Sequence, residues 1–463
     1  MGLPEGIFRA YDIRGIVEED LSEEVVFKIA LGLGHLLSGE GRKSMAVGHD
    51  IRSSSPGYAE AVGEGLRGAG LDVVHVGEVP TPLLYWSVQH LGLDGGVMIT
   101  GSHNPIEYNG LKITRDIWPI WGEEIQRLRA IAERSETVEN RGSIHHQEVI
   151  DPYIAEIAGL FSLPRGMKIA IDCGNGTAGP VALPLFEALG VEVDALYPEP
   201  DGTFPNHLPD PEVPRYMEAL CEKVASGDHV CGFGFDGDSD RVGVIDETGR
   251  KRSADHVLLA FARHLLEQVP GGTVIFDVKC SDFLYMDIAK RGGKPIMWKT
   301  GHSIIKEKMR EENAILAGEL SGHICVAHRY YGFDDAFYAA LLVLQIMSEN
   351  SIPCSQLFEG IPETFSTPEV KIPITEETKF GVVSALQDQF RKQLGNDRVN
   401  TIDGVRVTWE DGWMLIRASN TTANLTVRVE GHTPEAMARI GAEVRSALSS
   451  QPVDLAPLDE ALS

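Results

Sequence analysis

Two short segments hold the residues best suited to chemistry. Thr100-Gly101-Ser102-His103-Asn104-Pro105 puts a serine hydroxyl on a tight turn at the end of the apolar run 95–99. Asp236-Gly237-Asp238-Ser239-Asp240-Arg241 places three carboxylates at alternate positions, followed by a fixed positive charge. In an extended or tightly turned segment, alternate residues project to one side, so three carboxylate oxygens can converge on one cation. Unpaired carboxylates this close repel, so the spacing calls for a metal ion or basic partners. A serine oxygen beside a carboxylate-held divalent cation is the equipment of phosphoryl transfer through a phosphoserine.

Each segment also has a plainer reading. Serine in a Gly/Asn/Pro turn is commonly a turn former or helix cap. No Gly-x-Ser-x-Gly elbow accompanies Ser102, so an acyl-transfer triad lacks support. Asp236, Asp238, Asp240 and Glu247 fall at EF-hand positions 1, 3, 5 and 12, but Arg241 stands where that loop requires glycine. The flanks 231–235 and 242–246 read as strands rather than helices, and the EF-hand is rejected. Mg²⁺ completed by a phosphate oxygen suits the carboxylates best, with Mn²⁺ or Zn²⁺ as substitutes.

Three more loops carry functional groups. Gly174-Asn175-Gly176-Thr177-Ala178-Gly179 matches Gly-x-Gly-x-x-Gly after an apolar strand, with Asp194 at nearly the distance of a dinucleotide fingerprint. No hydride-transfer constellation supports that cofactor, and a tight strand-to-helix turn is the better account. Gly318-Glu319-Leu320-Ser321-Gly322-His323 offers a carboxylate, a hydroxyl and an imidazole suited to sugar hydroxyls. Arg417-Ala418-Ser419-Asn420-Thr421 offers a guanidinium fork, two hydroxyls and an amide, the inventory of a phosphate clamp.

The elements that must position these loops alternate along the first three-quarters of the chain. Short apolar runs at 44–48, 71–76, 95–99, 168–173, 191–196, 230–235, 272–277 and 314–317 read as strands. Segments 22–37, 122–134 and 255–268 carry apolar residues at helical spacing. Three similar α/β domains with mixed, largely parallel sheets are expected, breaking near 153–164 and 248–253. Residues 361–368 read as a linker. Beyond it, strands at 405–409, 413–417 and 424–430 and helices at 377–394 and 434–448 predict a smaller α+β domain. The expected units are 1–150, 151–250, 251–363 and 364–463, with their loops facing a central cleft, since ligands of α/β sheets gather outside the carboxyl ends of strands.

Bulk properties narrow the partners. A chain of 463 residues exceeds one hydrophobic core, and its 43% apolar and 24% charged residues are those of an ordinary globular protein. The formal charge of −27 (41 basic, 68 acidic residues) argues against nucleic acid or an anionic membrane as partner. A phosphate ester would need a locally basic cleft within that field. No apolar run approaches a membrane span, and the first residues lack a basic-then-apolar secretory pattern. Six cysteines without a Cys-x-x-Cys pair fit reduced thiols in a cytoplasmic protein.

Taken in order, the Ser102, Asp236–Asp240, Glu319 and Arg417 loops resemble those of the α-D-phosphohexomutases, most closely the bacterial phosphomannomutase/phosphoglucomutase branch. The resemblance begins at Phe8-Arg9-Ala10-Tyr11-Asp12-Ile13-Arg14-Gly15 and runs almost to the last residue. It implies that Ser102 is the phosphorylated residue and that Asp236, Asp238 and Asp240, with Ser102, hold Mg²⁺. It also implies glucose 1,6-bisphosphate as the phosphorylating activator. By the same resemblance Arg14, His103, Lys112 and Arg241 line the reacting end, with Tyr11 beside the substrate. Lys279 and His302 approach from the third domain, Glu319, Ser321 and His323 take sugar hydroxyls, and Arg417, Ser419, Asn420 and Thr421 hold the non-reacting phosphate. The chain departs from the family at Ala423, commonly proline, and at Leu320, where methionine is expected.

Phosphoglucosamine mutases typically read Arg-Pro-Ser-Gly-Thr at the phosphate loop, so Arg-Ala-Ser-Asn-Thr here favours glucose and mannose phosphates. The expected reaction exchanges phosphate between the 1- and 6-positions through a bisphosphate that reorients in a monomer or weak homodimer. The proton acceptor stays open among Arg14, Lys112 and a histidine. Rival readings are a metal-dependent phosphohydrolase, a nicotinamide-dependent dehydrogenase built on the 174–179 loop, and a non-catalytic sugar-phosphate binding protein.

Overall fold

Four sheets follow one another along the chain in a computed structural model that describes residues 2–420 and 422–462. In the first sheet Gly95–Ile99, Ser44–His49, Asp72–Glu78 and Ile144–His146 run parallel. Tyr108–Arg115 and Ile13–Ile16 extend it in antiparallel register beside Gly95–Ile99. The second sheet joins parallel Glu192–Leu196, Lys168–Asp172 and Cys231–Phe235 to antiparallel Val242–Asp246 and Lys251–Arg252. The third sets Lys294–Trp298, Thr273–Asp277 and Leu316–Gly318 parallel, with Ile324–Val326 antiparallel at one edge. Each is thus a mixed sheet, parallel among strands joined by helical crossovers and antiparallel where a hairpin returns.

The last sheet is wholly antiparallel: Asn424–Gly431, Gly412–Ala418, Val405–Trp409 and Val399–Asn400 are successive neighbours. It packs against helices Glu376–Leu394 and Pro434–Leu448 around its own apolar cluster. The fold is therefore three α/β sheets followed by a smaller α+β domain, as the alternation of apolar runs predicts. Segment 361–368, read from the sequence as a linker, is partly structured. Phe365–Ser366 pairs with Glu430 and Gly431, and buried Thr367 accepts the Val429 N–H at 3.1 Å.

One core cluster is continuous through the first three units. Helix Ala336–Asn350 runs through it because its sequence is apolar on every side, and eleven of its residues are buried. Asp335 caps it, accepting the N–H groups of Phe337 and Tyr338 at 2.9 and 3.0 Å. Burial on all sides fits a helix that must satisfy several sheets at once. All six cysteines are free thiols. No helix among the described residues is long and apolar enough to cross a membrane.

Candidate active site

The Ser102, Glu319 and Arg417 loops border one cleft of about 680 Å³, the size of a small-ligand pocket, and the buried Asp236–Arg241 loop lies behind Ser102. Ser102 stands at its floor. The residue sits in the left-handed region at φ 48°, its N–H held by Thr100 Oγ1 at 2.8 Å. Its Oγ donates to Asp236 Oδ2 at 2.9 Å and lies 3.0 Å from His103 Nδ1. Burial, with the charges of Arg241 and Arg14, pushes the His103 imidazole well below its ordinary range, so it is neutral.

The antiparallel edge of the first sheet supplies the nearest cations. Arg14 faces Gly110 across the Ile13–Ile16 and Tyr108–Arg115 pair, and Lys112 lies two residues along that partner strand. Arg14 is oriented by Asp12 at 2.5 Å and Asn104 at 3.3 Å. Lys112 Nζ donates to Asp238 Oδ2 at 2.7 Å and Asp240 Oδ2 at 2.5 Å. Burial opposes its charge, but those two carboxylates raise it well above the usual range.

The carboxylates occupy the hairpin between Cys231–Phe235 and Val242–Asp246, confirming strand flanks. All three are essentially inaccessible, with oxygens within 4.8 Å of one another. Asp236 is further held by the Asp240 and Arg241 N–H groups at 3.1 Å and by Arg241 Nε at 3.0 Å. Burial and the Asp240 charge push Asp236 up to about 7, whereas Asp238, despite burial, is held well below the carboxylate range by Lys112. Asp238 Oδ1 and Asp240 Oδ1 are buried with no hydrogen-bond partner. Orphaned anionic oxygens in an all-oxygen cluster fit a hard divalent cation such as Mg²⁺. Gly237 is required between them, because a Cβ there would strike the Ser102 carbonyl.

From the third unit come Lys279, His302, Glu319 and His323. The His302 and His323 rings stack at 5.2 Å, with His323 Nδ1 2.9 Å from Asp334. Burial opposes the His323 charge, yet Asp240 and Asp334 raise its pKa, while burial and Lys306 hold His302 well down. Glu319 accepts the Gly301 N–H. Gly301 has φ 135° and lies under the Tyr11 ring, 2.8 Å from where a Cβ would stand, so no side chain fits.

The last unit contributes Arg417, held by Asp403 at 3.1 Å, together with Ser419 and Asn420. Lys379 braces this loop, donating to the Ser419 and Thr422 carbonyls at 2.5 and 3.1 Å. Lys279 and Glu369 pair at 3.0 Å across the third and fourth units.

Two of the residues expected to face substrate stand back from the cleft. Arg241 is 3% exposed, with Nε on Asp236 at 3.0 Å, Nη1 on Asp210 at 3.2 Å and a buried Nη2 that has no hydrogen-bond partner among the described residues. Ser321 turns its hydroxyl onto Glu319 at 3.3 Å. Thr421 lies outside the described residues. The cleft also contains Asp12, Glu369 and Lys371, which the motifs did not single out. Asp12, two residues before Arg14, was the most accessible of these from sequence.

The 174–179 loop has spent its polar groups internally. The Thr177 N–H and hydroxyl both donate to Gly237 O, at 3.0 and 3.2 Å, and Asn175 Nδ2 donates to Glu199 O at 2.9 Å. It is a turn that braces the carboxylate hairpin.

A serine on a strained turn, a buried carboxylate cluster from the second domain and cations from the first, third and fourth define an α/β enzyme whose one site needs the whole chain. Comparison with known proteins specifies the class. The chain matches the models for phosphoglucomutase/phosphomannomutase alpha/beta/alpha domains I, II and III at 5–139, 151–249 and 253–365, and for the C-terminal domain at 369–447. It is 43% identical to a phosphomannomutase/phosphoglucomutase of Pseudomonas aeruginosa, covering 97% of this chain and 96% of that protein. It is 40% identical to a phosphoglucomutase of Neisseria meningitidis, covering 98% of each. A phosphoglucomutase/phosphomannomutase family protein of Burkholderia thailandensis superposes with a TM-score of 0.91 at 39% identity, over 98% of this chain and 99% of that one. The chain belongs to the phosphoglucomutase/phosphomannomutase family.

Proposed function

We propose that this chain, a phosphohexomutase by family, exchanges phosphate between the 1- and 6-positions of glucose phosphates, mannose phosphates or both. The observation that carries this reading is the placement of Ser102 Oγ, 2.9 Å from Asp236 and at the floor of a cleft walled by cations. Full-length relatives named for both sugars support the substrate class. Asp236, Asp238, Asp240 and the Ser102 oxygen would hold Mg²⁺, which when bound supplies positive charge beside the transferring phosphoryl group.

In the first half-reaction the bond from phosphorus to the Ser102 oxygen breaks as one to a sugar hydroxyl oxygen forms; in the second, a phosphorus–sugar oxygen bond breaks as one to the Ser102 oxygen forms. In the first the sugar hydroxyl loses a proton and the serine oxygen gains one; in the second the proton moves the opposite way, so atoms and charge balance over the cycle. His103, neutral and 3.0 Å from Oγ, is placed to carry that proton at the serine end. Lys112 and Arg14 supply fixed charge for a reaction that depends on positioning and charge neutralisation. Glu319 and the two histidines orient hydroxyls, while Arg417, Ser419 and Asn420 hold the other phosphate. The bisphosphate then turns end for end and returns its second phosphate to Ser102. Glucose 1,6-bisphosphate would phosphorylate a resting enzyme by the same route.

Isomerisation of glucose 1-phosphate and mannose 1-phosphate, paired with intact-mass measurement of Ser102 phosphorylation, tests the reading. Ser102→Ala should abolish turnover while still binding hexose phosphate. Wild-type turnover by that variant, or release of inorganic phosphate in place of isomerisation, would overturn it.

A further inference from the structure

The loop carrying Ser102 is built around a side chain that the substrate never meets. Arg52 follows strand Ser44–His49 and is 2% exposed. Its Nη1 donates to the carbonyls of Pro105 and Tyr108 at 2.7 and 3.0 Å. Its Nη2 donates to the carbonyls of Ser102 and Asn104 at 3.0 and 2.6 Å. Nε faces Asp50 Oδ2 at 3.4 Å. A guanidinium carries its N–H donors in a planar fork, and here the two Nη groups make four hydrogen bonds to the loop while Nε, beside Asp50, makes none among the described residues.

Two further contacts close the arrangement. The Asp50 carboxylate accepts the Gly101 N–H at 3.0 Å and the Arg52 N–H at 3.0 Å, so the start of the loop and its carbonyls are drawn to one charge pair. From the second domain, the Phe204 ring lies 5.3 Å from the guanidinium carbon. Arg52 is absent from the residues bordering the cleft.

A serine in the left-handed region is disfavoured unless its surroundings hold it there. Four carbonyls turned inward over seven residues would also be unsatisfied without a donor fork of this span. We propose that Arg52 is a positioning residue for phosphoryl transfer: it holds the 101–108 loop in the turn that aims Ser102 Oγ at Asp236. Lysine keeps the charge but offers its donors from a single point, so it cannot span the four carbonyls. This inference rests on the phosphoserine reading above.

Arg52→Lys and Arg52→Ala, made in the full chain beside Ser102→Ala, separate the two. Isomerisation kinetics, the rate of Ser102 phosphorylation by glucose 1,6-bisphosphate and hydrogen exchange of the 101–108 amides are measured. Both Arg52 variants should lose about a hundredfold in kcat and in phosphorylation rate, the scale of a loop misplaced by about 1 Å. KM for glucose 1-phosphate should stay within about threefold, because no cleft contact is removed. Loop amides should exchange faster, and millimolar guanidinium ion should restore part of the activity to Arg52→Ala but none to Ser102→Ala. Should Arg52→Ala fail to fold, Arg52→Lys decides. Wild-type kcat in Arg52→Lys with an inactive Ser102→Ala overturns the positioning role alone. An active Ser102→Ala overturns the phosphoserine reading itself.

Discussion

Tyr11 and Asn420, 409 positions apart in the chain, meet across the mouth of the cleft, with Asn420 Nδ2 donating to the phenol oxygen at 2.5 Å. The same phenol donates to the Thr300 carbonyl at 2.9 Å, so one hydroxyl touches the first, third and fourth domains. Burial pushes its pKa up to about 12, which keeps the phenol protonated and able to donate.

Tyr11→Phe keeps the ring over Gly301 and removes both bonds. A neutral hydrogen bond of this kind contributes about 1 kcal/mol, so KM for hexose phosphate should rise about fivefold with kcat nearly unchanged. Steady-state kinetics would show it; an unchanged KM would mean that the seam is held elsewhere.

Arg417→Ala removes a fork positioned by Asp403. Loss of a bidentate, charge-assisted phosphate contact corresponds to roughly 2–4 kcal/mol, or about 30- to 1,000-fold in isomerase activity. The variant should leak glucose 1,6-bisphosphate while Ser102 can still be phosphorylated by it. Phosphorus NMR of the reaction reads both. Normal turnover without released bisphosphate would remove the fourth domain from the reorientation.

Lys112→Met strips Asp238 and Asp240 of their shared counter-charge. Breaking a buried pair from one side costs about 3–5 kcal/mol, and the variant should unfold at a lower temperature than wild type without divalent ions. Mg²⁺ should raise its Tm by more than it raises that of wild type, since a cation replaces the missing charge. Equal Mg²⁺ shifts in thermal unfolding would sink this account of the cluster.

Asp246 provides an acid-stability test away from the cleft. Burial disfavours its ionised form, but the Thr248 hydroxyl, the Arg252 guanidinium and nearby N–H groups outweigh burial and lower its pKa. A depressed carboxyl adds stability above its unfolded pKa of about 3.9 and loses it as pH falls through the folded value. The urea midpoint of wild type should therefore exceed that of Asp246→Asn by a constant amount above about pH 5, and the gap should close between about pH 5 and 2. A gap independent of pH would falsify the assignment.

Much of this molecule is legible locally. Strands such as Gly95–Ile99 and Cys231–Phe235 are apolar runs bounded by glycine and acidic turns, and the loops after them hold Ser102 and the three aspartates. What escapes local reading is pairing at long range. Nothing near Ile13–Ile16 reveals that it will lie against Tyr108–Arg115 and bring Arg14 beside Lys112. The inward turn of Arg241 depends on Asp210, 31 positions earlier, and the setting of Arg417 depends on Asp403. The glycine pattern at 174–179 is visible, but whether its N–H groups are free for a ligand depends on the hairpin that consumes them.

The fourth domain is bolted to the third by Arg406. Its guanidinium, stacked on Trp413 at 3.7 Å, donates to the carbonyls of Val278 and Cys280, the two neighbours of Lys279. Arg406 lies on Val405–Trp409, the strand beside the one that carries Arg417. Lys279 and Arg417 are therefore mounted on one bracket, joined through Arg406 and the strand pair that carries it. In the exchange proposed above, a sugar presented by either end would meet the same bracket, which works as a caliper set by the chain's own contacts.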